Sequence, residues 1–264
     1  MALATLLYLV YLFLPLALLL LGSFGERWTN TLLPEGATLR WYADLLNDGS
    51  FRRAFFVSLS VCITTCIVTA LLGLPLAYAI FNAARRGAVL AARIIYLMPV
   101  AVPPLVLGFG FILVFSSDQL PFLGSLWLLI GGHVILCLPY MMQALMADMR
   151  HLDLATLEQA AESLGAGFAM RFLTIVAPAL RHSLLSGSIM VAALSIGEFQ
   201  LSNLIAGFLT RPYPVVLLQA FYGATGFACA ATIVLLGLAL IAAVLSAYAG
   251  RGLSGAKLHG GAAT

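Results

Sequence analysis

Charge is scarce in this chain: Lys, Arg, Asp and Glu make up 9% of 264 residues, against 62% hydrophobic ones and a mean hydropathy of +1.07. No soluble core needs that much apolar surface, so a soluble globular domain is excluded. The apolar runs also lack the alternation of polar and apolar residues over about ten positions that a transmembrane β-barrel requires. The four cysteines, Cys62, Cys66, Cys137 and Cys229, sit in apolar segments without Cys-x-x-Cys spacing, so they read as small packing residues rather than metal ligands or disulfide partners. No Walker A sequence occurs, which leaves the chain without a nucleotide-hydrolysing site of its own. Internal repeats, low-complexity tracts and flexible linkers are absent too. Residues 1–264 therefore read as one domain, with a core over about 54–250 and a short polar tail after Arg251.

What is present are long apolar runs. A helix needs about 20 residues to cross a bilayer, and runs with little or no charge cover 1–25, 54–84, 94–117, 119–147, 183–210 and 212–250. The expected fold is an all-α membrane protein with six transmembrane helices near 5–23, 53–81, 93–115, 124–149, 182–206 and 227–249. The first run lacks a basic n-region and a small-x-small cleavage site, so it reads as a retained helix. Placing both termini in the cytoplasm puts Arg85, Arg86, Arg93, Arg150, Arg171, Arg181, Arg251 and Lys257 inside, eight of the thirteen basic residues, against Arg27, Arg40, Arg52, Arg53 and Arg211 outside. The excess of inside charge favours that orientation, although Arg52 and Arg53 oppose it. It makes 24–52 an external loop, in which LRWYADLLNDGSFRRAF reads as a short amphipathic helix, and 149–182 a cytoplasmic loop between the fourth and fifth helices.

That cytoplasmic loop contains the most informative stretch, LEQAAESLGAGFAMRFLTIVAP at 157–178. Leu157, Ala160, Ala161 and Leu164 fall at i, i+3, i+4 and i+7, one apolar stripe of a short helix, with Glu158 and Glu162 on the opposite side. Thr156 and Gln159 fit a capping box, and Gly165 fits the residue just past a helix end. Phe168, Phe172 and Ile175 form a second apolar series, which Pro178 should stop at or before Ala177. Helices this short are marginal alone in water, so the stripe needs a partner surface. The bland alternative is a helix lying in the lipid interface, but basic residues do not dominate its polar face.

The spacing resembles the EAA loop of the membrane subunits of ABC importers, in which Glu-Ala-Ala is followed at fixed intervals by Gly, Ile and Leu-Pro. Gln159, Ala160, Ala161, Gly165, Ile175, Ala177 and Pro178 occupy those positions, with Gln159 replacing the acidic residue and Ala177 the leucine. Leu39, Trp41 and Tyr42, the string MPVAVPPLVLG at 98–108 and GEF at 197–199 also look like permeases of the polyamine, iron and thiamine group. The resemblance implies a bacterial inner-membrane permease forming half of a solute path. It further implies a coupling helix, here Glu158, Gln159, Ala160, Ala161, Glu162, Leu164, Gly165, Phe168, Ile175 and Pro178, that docks on a separate ABC ATPase. An external solute-binding protein and a second permease, by analogy a distinct chain, are the other implied partners; nucleic acid is not one.

Glu198 is the only acidic residue deep inside an expected span. A charge at the bilayer centre costs about 2.5–3.5 kcal/mol on insertion scales. With Ser195, Gln200 and Asn203 it gives the fifth helix a polar side, which reads either as the wall of the translocation path or as a structural partner for a neighbouring helix. Pro15, Pro75, Pro99, Pro103, Pro104 and Pro139 fall in or at the ends of spans, as packing kinks or as breaks lining a pathway. His133 is expected near the external end of the fourth helix. A hydrolase pairing His133 with Ser186 or Ser188 lacks a carboxylate and a nucleophile turn, so no enzyme is expected. His151 and His182 read as solvated or carbonyl-bonded. The alternative function is a channel or secondary transporter not driven by ATP. Glu198 slightly favours a cationic or amine-bearing solute such as a polyamine or aminophosphonate, without excluding iron, thiamine or an anion.

Overall fold

The computed structural model describes residues 2–28, 31, 33–83, 85–152 and 154–255, with side chains left undescribed at 2, 150, 151 and 241–255. The expected positions of the Arg150, His151 and Arg251 side chains, and of Lys257, lie outside this set. The helices in chain order are α1 (Ala2–Phe24), α2 (Arg40–Asn47), α3 (Gly49–Phe81), α4 (Arg86–Ala101), α5 (Pro104–Phe115), α6 (Leu126–His151), α7 (Leu154–Ser163), α8 (Phe168–Arg171), α9 (Ala177–Ala179), α10 (Arg181–Gly197), α11 (Gln200–Ile205), α12 (Tyr213–Phe221) and α13 (Thr225–Gly255). Among the described residues two isolated bridges are the only β pairing.

Among the described residues three helices are long and apolar enough to cross a membrane by themselves: 3–24, 49–81 and 126–149. Pro15, Pro75, Pro99 and Pro139 lie inside uninterrupted helices, as kinks would. The expected third span is not one straight helix. Consecutive Pro103 and Pro104 lack backbone N–H groups, and the residue before a proline is pushed out of the α region. Val102 is accordingly extended (φ −89°, ψ 122°), and α4 and α5 meet at 99°. The expected fifth span is also broken, because α10 ends at Gly197 and α11 begins only at Gln200. The run 212–250 holds α12 as a separate nine-residue helix, with Pro212 at its N-cap, before the long α13.

The chain divides into two compact units, Met1–Val57 with Arg211–Ala242, and one built on Ser58–Thr210. In the first, α2 is the amphipathic helix read from the sequence, with Leu45 turned inward. The Asp48 carboxylate accepts from the backbone N–H of Ser50 (2.7 Å) and Phe51 (3.0 Å), capping α3. That cap starts α3 at Gly49, four residues before the expected Arg53. Phe51 stands edge-on to Tyr213 and Phe227 at 5.3 and 5.2 Å, and the Tyr213 hydroxyl donates to the Ala231 carbonyl at 2.8 Å.

The second unit packs around α6, whose Leu129, Met141, Met142 and Leu145 are fully buried. A Cβ at Gly187 of α10 would lie 2.7 Å from the Met141 sulfur, so a larger residue there would push the Met141 side chain aside. The thiols of Cys66 and Cys137 face α10 carbonyls, Ser188 at 3.5 Å and Val191 at 3.9 Å, and all four cysteines are free. They are packing residues, as their apolar surroundings suggest.

Candidate functional site

Two features of the second unit carry chemistry. The first is the hairpin formed by α7 and the segment 168–179. Its turn is a Schellman motif: Gly165 has φ +83°, its N–H bonds the Glu162 carbonyl (2.9 Å), and the Ala166 N–H bonds the Ala161 carbonyl (3.0 Å). Glu162 then pairs with Arg171 at 2.7 Å across the hairpin.

Two local expectations change. α7 begins at Leu154, so Thr156 and Gln159 lie inside the helix and form no capping box at its start. Leu154 and Glu158 of α7 are buried, whereas Leu157 and Leu164 of the apolar stripe are 49% and 88% exposed, which leaves the stripe in need of a partner surface. Glu158 turns inward because the Tyr78 hydroxyl of α3 donates to its Oε2. Pro178 does not stop the helix either. A π-helical turn over Phe172–Val176 precedes α9, and its wider i→i+5 pattern relieves the clash a proline ring makes with an α-helical carbonyl. The direction changes after Leu180 instead, where the two segments meet at 64°.

The hairpin is closed against the body and open outward. The Tyr78 ring lies 5.8 Å from Phe168 and 5.4 Å from Phe172. Ser183 at the start of α10 donates to Asp148 near the end of α6. Ile175 is half-buried, while Gln159, Ala160 and Pro178 are exposed. Leu157, Leu164, Phe168, Met170 and Leu173 leave an apolar patch on an otherwise polar loop.

The second feature is a cavity of about 480 Å³. Pro99, Val100, Val102 and Pro104 of the α4–α5 break face Glu198, Phe199 and Gln200 of the α10–α11 break, with His133 and Tyr140 of α6 between them. The strings at 98–108 and 197–199, far apart in sequence, thus meet at one site. Glu198 is extended (φ −71°, ψ 122°). Its carboxylate accepts from the N–H of Leu201 (2.7 Å), the N–H of Ser202 (2.9 Å) and the Ser202 hydroxyl (2.5 Å).

His133 is 1% exposed and sits between two serines, with Nδ1 2.9 Å from Ser195 Oγ and Nε2 2.9 Å from Ser202 Oγ. Since the Ser202 hydroxyl donates to Glu198, Ser202 Oγ is left to accept from His133 Nε2–H. His133 is therefore a buried network member rather than a residue at the helix end, and its partners are not Ser186 or Ser188. Ser186 instead donates to the Ser183 carbonyl. Of the four path candidates, Glu198 and Gln200 line the cavity. Ser195 is buried behind His133, and Asn203 is exposed and outside the lining. His182 departs from expectation, since its Nε2 is buried without a partner. Tyr78 and Tyr140 were not legible as site residues, because each is one aromatic in an apolar run.

No family model matches the chain. It is 29% identical over 240 residues to the 2-aminoethylphosphonate transport system permease protein PhnV of Salmonella typhi, covering 90% of this chain and 89% of that one. Against the spermidine/putrescine transport system permease protein PotC of Escherichia coli K12 it is 25% identical over 204 residues, covering 75% and 73%. Its fold superposes with a TM-score of 0.74 on a chain of a bacterial alginate ABC transporter solved with a periplasmic protein, at 16% identity and covering 95% and 93%. Its curated relatives are transport system permeases, and its fold is that of a chain of an ABC importer. Permease relatives and long apolar helices agree on a multi-pass membrane protein.

Proposed function

We propose that the permease forms one half of a solute path in a bacterial importer and takes its energy from a separate ATPase docked on the hairpin 157–178. The outward apolar patch of that hairpin carries the reading: Leu157, Leu164, Met170 and Leu173 are exposed, with one side of Phe168 beside them, on a loop that water would otherwise solvate. Gln159, Ala160, Ala161, Gly165, Ile175 and Pro178 lie at the spacing of the EAA loop, and Glu162 and Glu158 hold the hairpin closed and seated. Docking requires the loop to be cytoplasmic, which puts both termini inside, in agreement with the inside excess of basic residues. An external solute-binding protein and a second permease complete the assembly, with the chain as carrier rather than enzyme.

The solute is proposed to bear an alkylammonium group. The Glu198 carboxyl lines the cavity and no Lys or Arg does so among the described residues, so a cation in transit would find an acidic partner there. PhnV and PotC are named for solutes that share an amine. The test is reconstitution with the partner ATPase and binding protein in liposomes. Uptake should follow ATP and survive collapse of ion gradients. Uptake driven by an ion gradient without ATP would overturn the reading in favour of a secondary transporter.

A further inference from the structure

The inward face of α7 has a contact that docking alone does not require. Glu158 is 9% exposed and its Oε1 is buried with no partner, so Tyr78 is the one group among the described residues that holds this carboxylate to the body. Tyr78 is itself 4% exposed and lies in the last turn of α3. Its ring contacts Phe168 and Phe172 of the other arm. Both arms of the hairpin therefore grip one side chain of a membrane-crossing helix, the first arm through a hydrogen bond and the second through two rings. The same core holds Leu154, Val176 and Leu180 of the hairpin against Ala77 and Met149.

We propose that Tyr78 is the positioning residue through which the hairpin moves α3, so that displacement of the loop by a docked ATPase becomes displacement of a transmembrane helix. This rests on the docking reading above. A buried carboxylate cannot be left without a donor cheaply, so the Tyr78–Glu158 bond is kept as the hairpin moves and the two elements travel as one body. The aromatic contacts resist tilting about that bond, and the Schellman turn with the Glu162–Arg171 pair stops the arms from sliding past each other.

The experiment uses the assembled permease–ATPase complex in lipid nanodiscs, with native cysteines replaced and spin labels at Ser163→Cys on the hairpin and Leu71→Cys on α3, where both side chains are exposed. The distance between labels is measured without nucleotide and after trapping with ATP and vanadate. The expected result is one unchanged distance in the parent and in Glu158→Gln, whose amide oxygen still accepts from the phenol. In Tyr78→Phe the distance should shift or broaden on trapping, while uptake per ATP hydrolysed in liposomes falls roughly tenfold, the equivalent of one buried hydrogen bond to a charged group. If Tyr78→Phe assembles poorly, Glu158→Asp, which draws the carboxylate out of reach, should give the same loss of coupling. An unchanged distance and unchanged uptake per ATP in both variants would overturn the proposal. The mobility of the Ser163 label separates the two readings: if adding the ATPase leaves it unchanged, docking itself fails and the Tyr78 role falls with it.

Discussion

At the scale of single residues, Glu198 combines two jobs that a sequence presents as alternatives. Its three donors make it the cap of α11, and its place in the cavity wall leaves it a negative charge beside the space where the two helix breaks meet. The two roles separate by substitution. Ser202→Ala removes the hydroxyl that links Glu198 to His133 but keeps the charge, so it should lower the thermal stability of the purified permease by the equivalent of about 1–3 kcal/mol. Uptake per assembled complex should stay near the parent value. Glu198→Gln keeps the size of the side chain and loses the charge, so uptake per complex should fall, and further for spermidine than for an uncharged analogue of similar length. Uptake per complex that is normal in Glu198→Gln, with poor assembly as its only defect, would assign the residue to structure alone.

At the scale of elements, the hairpin turn offers the cleanest test. Gly165 sits in the left-handed region with open space where a Cβ would go, so the cost of replacing it is conformational rather than steric. A side chain there costs about 1–2 kcal/mol, and a β-branched one is the worst choice. Gly165→Val should leave membrane insertion intact while weakening ATPase association and solute-stimulated ATP hydrolysis, and Gly165→Asn should retain more of both. Equal ATPase binding in parent and Val variant would remove the turn from the docking site. The turn was legible because a glycine after an apolar stripe has one common explanation. Which face of α7 points inward was not, since the stripe shows that an apolar surface exists without showing which chain covers it. Glu158 faces inward only because Tyr78, 80 positions earlier, meets it. Pro103 and Pro104 announced a break, yet a hydropathy window counts composition and is blind to a 99° change of direction. The α10–α11 break carries a fainter signal, a glycine followed by an acid that caps its own downstream turn. The cavity depends on both breaks facing α6, a long-range fact that no single stretch of sequence encodes.

At the scale of the whole molecule, the claim that decides the rest is orientation, because a hairpin on the outer side of the membrane could not meet an ATPase. The basic residues divide eight to five in favour of a cytoplasmic loop, a bias that Arg52 and Arg53 reduce. Exposed residues can report on each side of the proposed topology: Asn47 at the end of α2 and Asp118 after α5 for the outside, Ala88 near the start of α4 and Ser163 at the end of α7 for the inside. Each is replaced singly by cysteine in a background without Cys62, Cys66, Cys137 and Cys229, whose removal should be tolerated since none forms a disulfide. A membrane-impermeant maleimide applied to intact cells stripped of their outer membrane should label Asn47→Cys and Asp118→Cys, and reach Ala88→Cys and Ser163→Cys only after permeabilisation. Co-expression with the ATPase should then protect Ser163→Cys and leave Ala88→Cys reactive, since docking covers the hairpin and not the whole inner surface. Labelling of Ser163→Cys in intact cells would reverse the topology and remove the coupling role with it. Correct sidedness without protection would keep the topology and move the docking surface elsewhere on the inner side.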